Sequence, residues 1–417
     1  MKSSLPLLLT LASTTAGLVP RTAPVINRDT VPGLAVLPQP LYTSLFDAAG
    51  KLQAVTSNAG HVAPTTTIPE VQELPPVQFK DAKRKKIRYG PFRLPGTKEQ
   101  NWQLKAMGLS GMADEYVPNL LKPCQECMIG ALNADLEYAD GKTTDGTAWL
   151  HHSVLVTAGP KIRDPICNLS ATETIFSSGN ERSTIRYHVE ASPVKAGYRM
   201  HPEDTLTLVG EFKNELESEQ WVWLAVGYEY FDGRHPDWKD THISWLSVQS
   251  ISSSCGAKTN PYGASNLTAK GVPLTNVFSE HSVPWTSPVD ATVLGVGGHL
   301  HDGGTALDIY QNEKLVCHAP VEYAKGAGGG MSGGGHGHAG AGADAHAGME
   351  APKPAVEPEH IKSMGGCRLL TPVKKGDTFH LVAHYDLEKH PGSKMEDGSL
   401  DEVMGVGTIL FFTEPNP

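Results

Sequence analysis

Several features that define common protein classes are missing from this sequence of 417 residues. After the N-terminal segment, no apolar run is long enough to cross a membrane, which argues against a membrane span. The formal net charge is −10, and no basic face is available to neutralise phosphates. Nucleic acid is therefore not expected as a partner.

The sequence also lacks the short motifs of several enzyme classes. It has no Gly-x-Ser-x-Gly nucleophile elbow, no phosphate-binding loop and no His-Glu-x-x-His helix. These absences argue against a serine hydrolase of the elbow type, a nucleotide-binding enzyme and a zinc protease. Long segments with the apolar period of an α-helix are scarce as well, so the sequence favours β-strands.

Strand patterns dominate the sequence from Tyr89 onward. Short runs of Val, Ile, Leu, Thr and aromatic residues alternate with Gly, Pro, Asn and Asp, for example at residues 149–157, 205–212, 221–231, 291–297, 306–310, 378–385 and 407–413. Runs at this spacing predict an all-β protein of the β-sandwich type. A stretch rich in Ser, Asn, Gly and Pro at residues 252–273 divides the region in two. We therefore predict a first sandwich at 86–255 and a second at 256–417.

The N-terminal segment has the pattern of a secretory signal. Lys2 precedes the apolar run Leu5–Leu11, and small residues lead to a plausible cleavage point at Ala16. This pattern predicts a signal peptide at residues 1–16 and a secreted, extracellular protein. Residues 17–85 are rich in Pro, Thr, Ala and Val without periodicity, and they are predicted to be a poorly ordered leader.

Two further features agree with secretion. The six cysteines form an even set, for which disulfides are the default in an oxidising compartment. Asn168 and Asn266 begin the motif Asn-x-Ser/Thr, so both are predicted glycosylation sites.

Histidines and one methionine carry the strongest chemical signal. His151 and His152 are adjacent, His299 and His301 flank a leucine, and Met404 lies in a late apolar run. In a strand, residues i and i+2 point to one face, so His299 and His301 can hold one ion. Imidazole with a soft thioether is a ligand set for copper. The alternative is that each histidine is a satisfied polar residue.

A low-complexity insert interrupts the second half. Residues 325–358 are mostly Gly and Ala with three histidines, and they cannot bury enough apolar surface to fold alone. The insert is either a flexible arm that collects metal or a Gly-rich expansion with incidental histidines. Cys317 and Cys367 bracket it, which predicts a disulfide at its base.

Three segments resemble the ascorbate-dependent copper monooxygenases, the group of the peptidylglycine α-hydroxylating and dopamine β-monooxygenases. They are Trp149–Leu155 with the paired histidines, Gly297–Gly304 with His-x-His, and Asp401–Phe412 with the methionine, in the family's order. The sequence is also similar to the plant stress-up-regulated nodulin family through Ser178–Thr184, Leu315–Cys317, Cys367 and Val403–Gly405. The resemblance covers roughly residues 120–415.

The resemblance implies two tandem antiparallel, jelly-roll-like β-sandwiches, each with a copper, facing across a cleft. Carried over to this sequence, His299, His301 and Met404 form the oxygen-activating site, and His151 and His152 belong to the electron-donating site. In the family, the third ligand of the electron-donating site is a histidine, but the aligned position here is Glu211 or Gly210. Glu211 is the candidate; His188 or His201 replaces it if the register shifts.

The positions that hold a peptide carboxylate in the amidating family are Gly297, Val406 and Thr408 in this sequence. None offers the fork of donors that a desolvated carboxylate needs, so peptide amidation is not expected. The sequence thus predicts a copper-dependent monooxygenase with one or two copper ions. Its substrate is an unknown small molecule or peptide, and an external reductant such as ascorbate reloads the metal. The alternative is a non-catalytic secreted copper-binding or stress-related protein.

Overall fold

The computed structural model describes residues 58, 60–99, 111–144, 146–166, 169–190, 192, 194–248, 275–325, 359–392, 400 and 403–413. The signal segment, Asn168, Asn266, Cys167, Cys255 and the insert from residue 326 lie outside the described residues. Among the described residues, no helix has the length and apolarity that crossing a membrane requires.

The predicted all-β class is confirmed, because every named element of the described chain is a strand. The strands are β1 (Val71–Leu74), β2 (Lys83–Leu94), β3 (Met112–Val117), β4 (Cys127–Glu137), β5 (Ala148–Asp164), β6 (Leu169–Ser178), β7 (Ile185–Arg186), β8 (Ala196–Met200), β9 (Thr205–Asn214), β10 (Gln220–Asp232), β11 (Lys239–Ser247), β12 (Val277–His281), β13 (Trp285–Thr286), β14 (Ala291–Leu300), β15 (Gly304–Gln311), β16 (Lys314–Lys325), β17 (Glu359–Met364), β18 (Cys367–Val373), β19 (Thr378–Asp386) and β20 (Gly405–Thr413).

The largest sheet, here called the long sheet, joins strands from both halves of the chain. Its order within the described residues is β1-β2-β10-β4-β8-β11-β20-β14-β18, with β7 beside β4. Most pairs are antiparallel, but β11 lies parallel to β8. On its other side β11 pairs antiparallel with β20, from Asp240 opposite Thr413 to Ser247 opposite Val406. The two predicted halves therefore share one continuous sheet.

A four-stranded sheet, in the order β3-β9-β5-β6, covers one end of the long sheet. The first hydrophobic core lies between them and contains Ile87 and Val226 of the long sheet with Leu155 and Phe212 of the smaller one. These side chains are fully buried. Their burial follows from the alternation of apolar and polar residues along β9, whose even-numbered positions from Leu206 to Phe212 face the core.

A six-stranded sheet, in the order β12-β19-β15-β16-β17 with β13 beside β19, covers the other end. It encloses a second core, in which Phe379 and Leu381 of β19 meet Ile409 and Phe411 of β20. The rings of Phe379 and Phe411 contact edge to face, with centroids 5.7 Å apart.

Strands β14 and β20 contribute to both cores. Leu294, Val406 and Leu410 belong to the first core, whereas Val293 and Ile409 belong to the second. A strand that is buried on both faces needs a nearly continuous apolar run, and β20 has one over Gly405–Thr413. The face of β14 that carries His299 therefore lies towards the four-stranded sheet.

Strands begin earlier in the chain than the sequence predicted. The segment expected to be a poorly ordered leader, residues 17–85, already contains β1 and the start of β2. The basic residues of β2 lie opposite carboxylates that their charges attract: Lys83 binds Asp232 at 2.7 Å, and Lys86 binds Glu137 at 2.7 Å. The pattern was missed because its residues are charged and only partly buried.

Two disulfides lie within the described residues. Cys317 of β16 is bonded to Cys367 of β18 with Cα atoms 5.8 Å apart, as the sequence predicted. This bond links the six-stranded sheet to the long sheet beside β14. Cys124 is bonded to Cys127 at the start of β4.

Candidate metal centre

A β-bulge explains how two adjacent histidines point to one side of β5. The register of β5 against β9 shifts between Leu150 and His152, which places His152 opposite Glu211. An extra residue at a bulge turns neighbouring side chains in the same direction, although they would alternate in a regular strand. The rings of His151 and His152 consequently lie side by side, with centroids 4.0 Å apart.

The second pair of histidines comes from the end of β14. His299 lies opposite Val406 and Leu300 opposite Gly405, so His299 and His301 share the face towards β5, and Leu300 enters the second core. His299 is 6% exposed. Its ring centroid lies 5.2 Å from that of His152 and 5.3 Å from that of His301. The four rings form one cluster, here called the histidine cluster.

The spacing of two nitrogens in this cluster suits one metal ion. The Nε2 atoms of His152 and His301 are 3.3 Å apart. Two nitrogens bound to one tetrahedral ion at about 2.0–2.1 Å would be separated by about 3.3 Å. One donor atom from each of His151, His152 and His301 also lies within 4.8 Å of the others. These residues therefore fit a metal with imidazole ligands.

Glu211 contacts the opposite side of the first two rings. Its Oε2 lies 3.1 Å from Nδ1 of His151 and 2.8 Å from Nδ1 of His152. A carboxylate that accepts from Nδ1–H fixes the tautomer and leaves the lone pair of Nε2 for a metal. This geometry suits Glu211 to an orienting role, while its place as the third ligand stays a prediction.

The charges around Glu211 favour these protonation states. Burial and the neighbouring His151 hold the pKa of His152 well below its usual value, so its ring is neutral. Burial alone would raise the pKa of Glu211, but its contacts with His152 and His151 outweigh it and lower that pKa strongly. An ionised Glu211 thus accepts a hydrogen bond from the neutral ring of His152.

Glu181 orients His299 in the same manner, a contact that the sequence did not suggest. Its Oε2 lies 2.8 Å from Nδ1 of His299, and Glu181 is itself buried. The approach requires glycine at 179, because a Cβ there would lie 2.5 Å from Cε1 of His299. The sequence suggested no role for the segment Ser178–Thr184 beyond its resemblance. The available signal in the sequence was an acidic residue, Glu181, two positions after Gly179.

Met404 is held beside the cluster through its backbone. Its carbonyl accepts a hydrogen bond from the backbone N–H of His301 at 3.3 Å and another from the hydroxyl of Tyr385. Met404 directly precedes β20, and His301 directly follows β14, whose last pair in the register is Leu300 opposite Gly405. The side chain of Met404 is 3% exposed and belongs to the first core.

Several other histidines of the described residues lie outside this cluster. His188 packs against Phe79 and Trp238, and its Nδ1 lies 3.2 Å from the carbonyl of Ala196. His380 and His384 are on β19, which pairs with β12, β13 and β15 and not with β20. His360, which carried no spacing signal, contacts Trp149 with ring centroids 4.1 Å apart.

The structure brings histidines of the two expected metal groups close together. His152 of the first half and His301 of the second half are within 3.3 Å through their Nε2 atoms. The reason is the shared long sheet, which brings β14 directly under the four-stranded sheet. The first and second histidine pairs therefore lie together in one cluster.

Replacement of Glu211 by glutamine should weaken copper binding about 10- to 100-fold, the usual effect of removing a carboxylate that orients a ligating histidine. Glutamine keeps the volume but lacks the charge that stabilises the Nδ1–H tautomer. Competition with a chromophoric copper chelator measures the affinity. Glu215→Gln is the matched control. The carboxylate of Glu215 lies 3.2 Å from Nζ of Lys213, and neither residue belongs to the histidine cluster. Equal affinities for Glu211→Gln and the wild type would contradict this role.

Comparison with known proteins supports a relationship with copper oxygenases. The chain is 25% identical over 331 residues to "Probable copper-dependent oxygenase M1" of Phoma sp., which covers 78% of this chain and 72% of that protein. It is 26% identical over 282 residues to "Probable copper-dependent oxygenase clz3" of Cochliobolus lunatus, which covers 66% of this chain and 76% of the relative.

No family model matches the sequence. Among solved structures, a peptide-N(4)-(N-acetyl-β-D-glucosaminyl) asparagine amidase is similar over 80% of this chain and 97% of its own, at 10% identity and a TM-score of 0.32. A likeness of this size adds nothing about function.

Proposed function

We propose that this chain is a copper-dependent oxidoreductase of the monooxygenase type, with copper bound at the histidine cluster. The observation that carries the proposal is the 3.3 Å separation of the Nε2 atoms of His152 and His301. The two curated relatives named as copper-dependent oxygenases support the choice of metal. Met404 supports it too, because a thioether favours copper over zinc.

In this proposal each residue has a defined task. The imidazole ligands are Nε2 atoms from among His151, His152, His299 and His301. The sulfur of Met404 is the soft donor. Glu211 and Glu181 accept hydrogen bonds from Nδ1 of the rings and so orient them. Bound copper supplies one-electron chemistry with O2, and an external reductant such as ascorbate restores it. The packing of β5 against β14 keeps the ligands in a largely dry environment, as His152 is 3% exposed.

The substrate belongs to this proposal as an unknown small molecule or peptide without a required carboxylate. The positions of a carboxylate clamp are Gly297, Val406 and Thr408, and the structure pairs Gly297 with Thr408 and His299 with Val406. These side chains provide no cationic fork. Secretion is also part of the proposal and rests on the signal segment at 1–16 and the sequons at Asn168 and Asn266.

The experiment that tests the function is copper loading of the full chain followed by O2 consumption with ascorbate. After removal of unbound copper by dialysis, the wild type should consume O2 faster than the final dialysis buffer, which serves as the free-copper control. Met404→Ala should weaken Cu(I) binding much more than Cu(II) binding and slow O2 consumption, since thioether stabilises the reduced ion.

Outcomes of this test separate the two candidate functions. Tight copper binding without O2 consumption above the free-copper control would favour a non-catalytic copper-binding protein, for which the absent substrate clamp at Gly297 already argues. Failure to bind copper would contradict both functions. Equal effects of Met404→Ala on the two oxidation states would remove the methionine from the ligand set.

A further inference from the structure

A histidine outside the histidine cluster contacts both chain segments that form it. His360 lies on β17 of the six-stranded sheet. Its Nδ1 is 2.6 Å from Oδ2 of Asp302, the residue that directly follows His301. Its ring meets the ring of Trp149 edge to face, with centroids 4.1 Å apart, and Trp149 lies two positions before His151. His360 therefore connects the end of β14 with β5 beside the cluster.

Asp302 belongs to the turn that joins β14 to β15. The backbone N–H of Gly304 donates to the carbonyl of His301 at 3.1 Å and closes this turn. Oδ1 of Asp302 accepts a hydrogen bond from the backbone N–H of Ile361 at 3.0 Å, while Oδ2 contacts His360. The side chain of Asp302 is 8% exposed. Hydrogen bonds to a carboxylate are stronger than those between neutral groups, so β17 determines where the chain runs after His301.

Trp149 lies on the same face of the four-stranded sheet as the first histidine pair. It is opposite Lys213 of β9, and His152 is opposite Glu211, two positions earlier on that strand. Residues two apart on a strand share a face, as do residues directly opposite each other. Nζ of Lys213 lies 5.4 Å from the centroid of the Trp149 ring. Aromatic pairs have preferred geometries, so the contact with His360 restrains the part of β5 that leads into the cluster.

We propose that His360 is a positioning residue of the metal centre, which fixes the segments around His151 and His301 relative to each other before a metal binds. The inference rests on the proposed function, because it takes the histidine cluster as the copper site. His360 is not a ligand in this proposal and acts through Asp302 and Trp149. Ligands that are already in place lose less freedom on binding, so the site binds metal more tightly.

Hydrogen–deuterium exchange of the metal-free full chain tests the positioning without copper. His360→Ala should make the backbone amides of residues 149–153 and 299–303 exchange about tenfold faster, because a hydrogen bond to a charged group contributes roughly that factor to a local opening equilibrium. His360→Phe keeps a ring beside Trp149 but loses the hydrogen bond, so exchange should change mainly at 299–303. His360→Asn keeps a donor for Asp302 but loses the ring, so exchange should change mainly at 149–153.

The matched control is His318→Ala. Nδ1 of His318 is also 2.6 Å from an aspartate, Asp308, but both residues lie on the six-stranded sheet. The control therefore removes a histidine–aspartate contact of the same length that does not connect the two segments. It should leave exchange at 149–153 and 299–303 unchanged. Equal changes in both alanine variants would overturn the proposal, because they would reflect a general loss of stability.

Copper affinity of the same variants measures the consequence for the site. His360→Ala should bind copper about tenfold more weakly, at the lower end of the range for residues that orient ligands. Unchanged exchange in both segments would overturn the proposal, as would unchanged copper affinity of His360→Ala beside a wild type that binds copper. If the wild type binds no copper, the proposed function fails, and the exchange data alone decide whether His360 positions the two segments.

Discussion

Replacement of His152 by alanine should remove copper from both histidine segments at once. Its Nε2 lies 3.3 Å from that of His301, so in a composite centre of both histidine pairs the two rings would serve one ion. Loss of an orienting carboxylate costs about 10- to 100-fold in metal affinity, and loss of a direct ligand should cost more than about 100-fold. O2 consumption with ascorbate should fall in parallel.

The same substitution discriminates between one centre and two. If the histidine pairs formed separate sites, His152→Ala would leave a full copper at His299, His301 and Met404, and the protein would keep half of its metal. With a composite centre, His152→Ala and His301→Ala should have the same copper stoichiometry and the same residual affinity. Titration with Cu(I) under anaerobic conditions measures both quantities.

The control for these variants is His318→Ala. His318 is 57% exposed in its side chain and binds Asp308 at 2.6 Å on the six-stranded sheet, outside the histidine cluster. Its removal should leave copper affinity unchanged. A comparable loss of copper in this variant would mean that the metal is bound by scattered surface histidines.

Much of the fold followed from local patterns in the sequence. The run predicted at residues 149–157 lies in β5, and the run at 407–413 lies in β20. Alternation of apolar residues determines which face of a strand is buried, but it does not determine the neighbouring strand. The pairing of β11 with β20 joins residues far apart in sequence, so the single long sheet was not foreseen.

The same limit applies to the candidate centre. The sequence selected His151, His152, His299, His301 and Met404 by residue type and spacing. It could not show that β5 has a bulge between Leu150 and His152. This bulge turns the two adjacent histidines to one side, although they would otherwise point to opposite faces. Nor could it pair Glu181 with His299, because 118 positions separate them and no periodicity connects a loop to a strand.

Removal of the Cys317–Cys367 disulfide should cause the largest loss of stability among the substitutions considered. The bond closes a loop with a sequence separation of 50. In the chain-entropy model, a crosslink of this span stabilises the folded state by about 4 kcal/mol, because it restricts the unfolded chain. The double variant Cys317→Ser/Cys367→Ser should therefore show a free energy of unfolding lower by about that amount in urea denaturation.

The Cys124–Cys127 disulfide provides a control of the same chemistry. Its sequence separation is 3, for which the model gives only about 1.6 kcal/mol. The double serine variant at these positions should therefore lose markedly less stability than the long-span variant. Similar losses would mean that native contacts of the cystines, and not loop closure, determine the effect. Because the long-span bond ties β16 to β18 beside β14, its removal should also loosen the strand that carries His299, which copper affinity of the refolded variant would report.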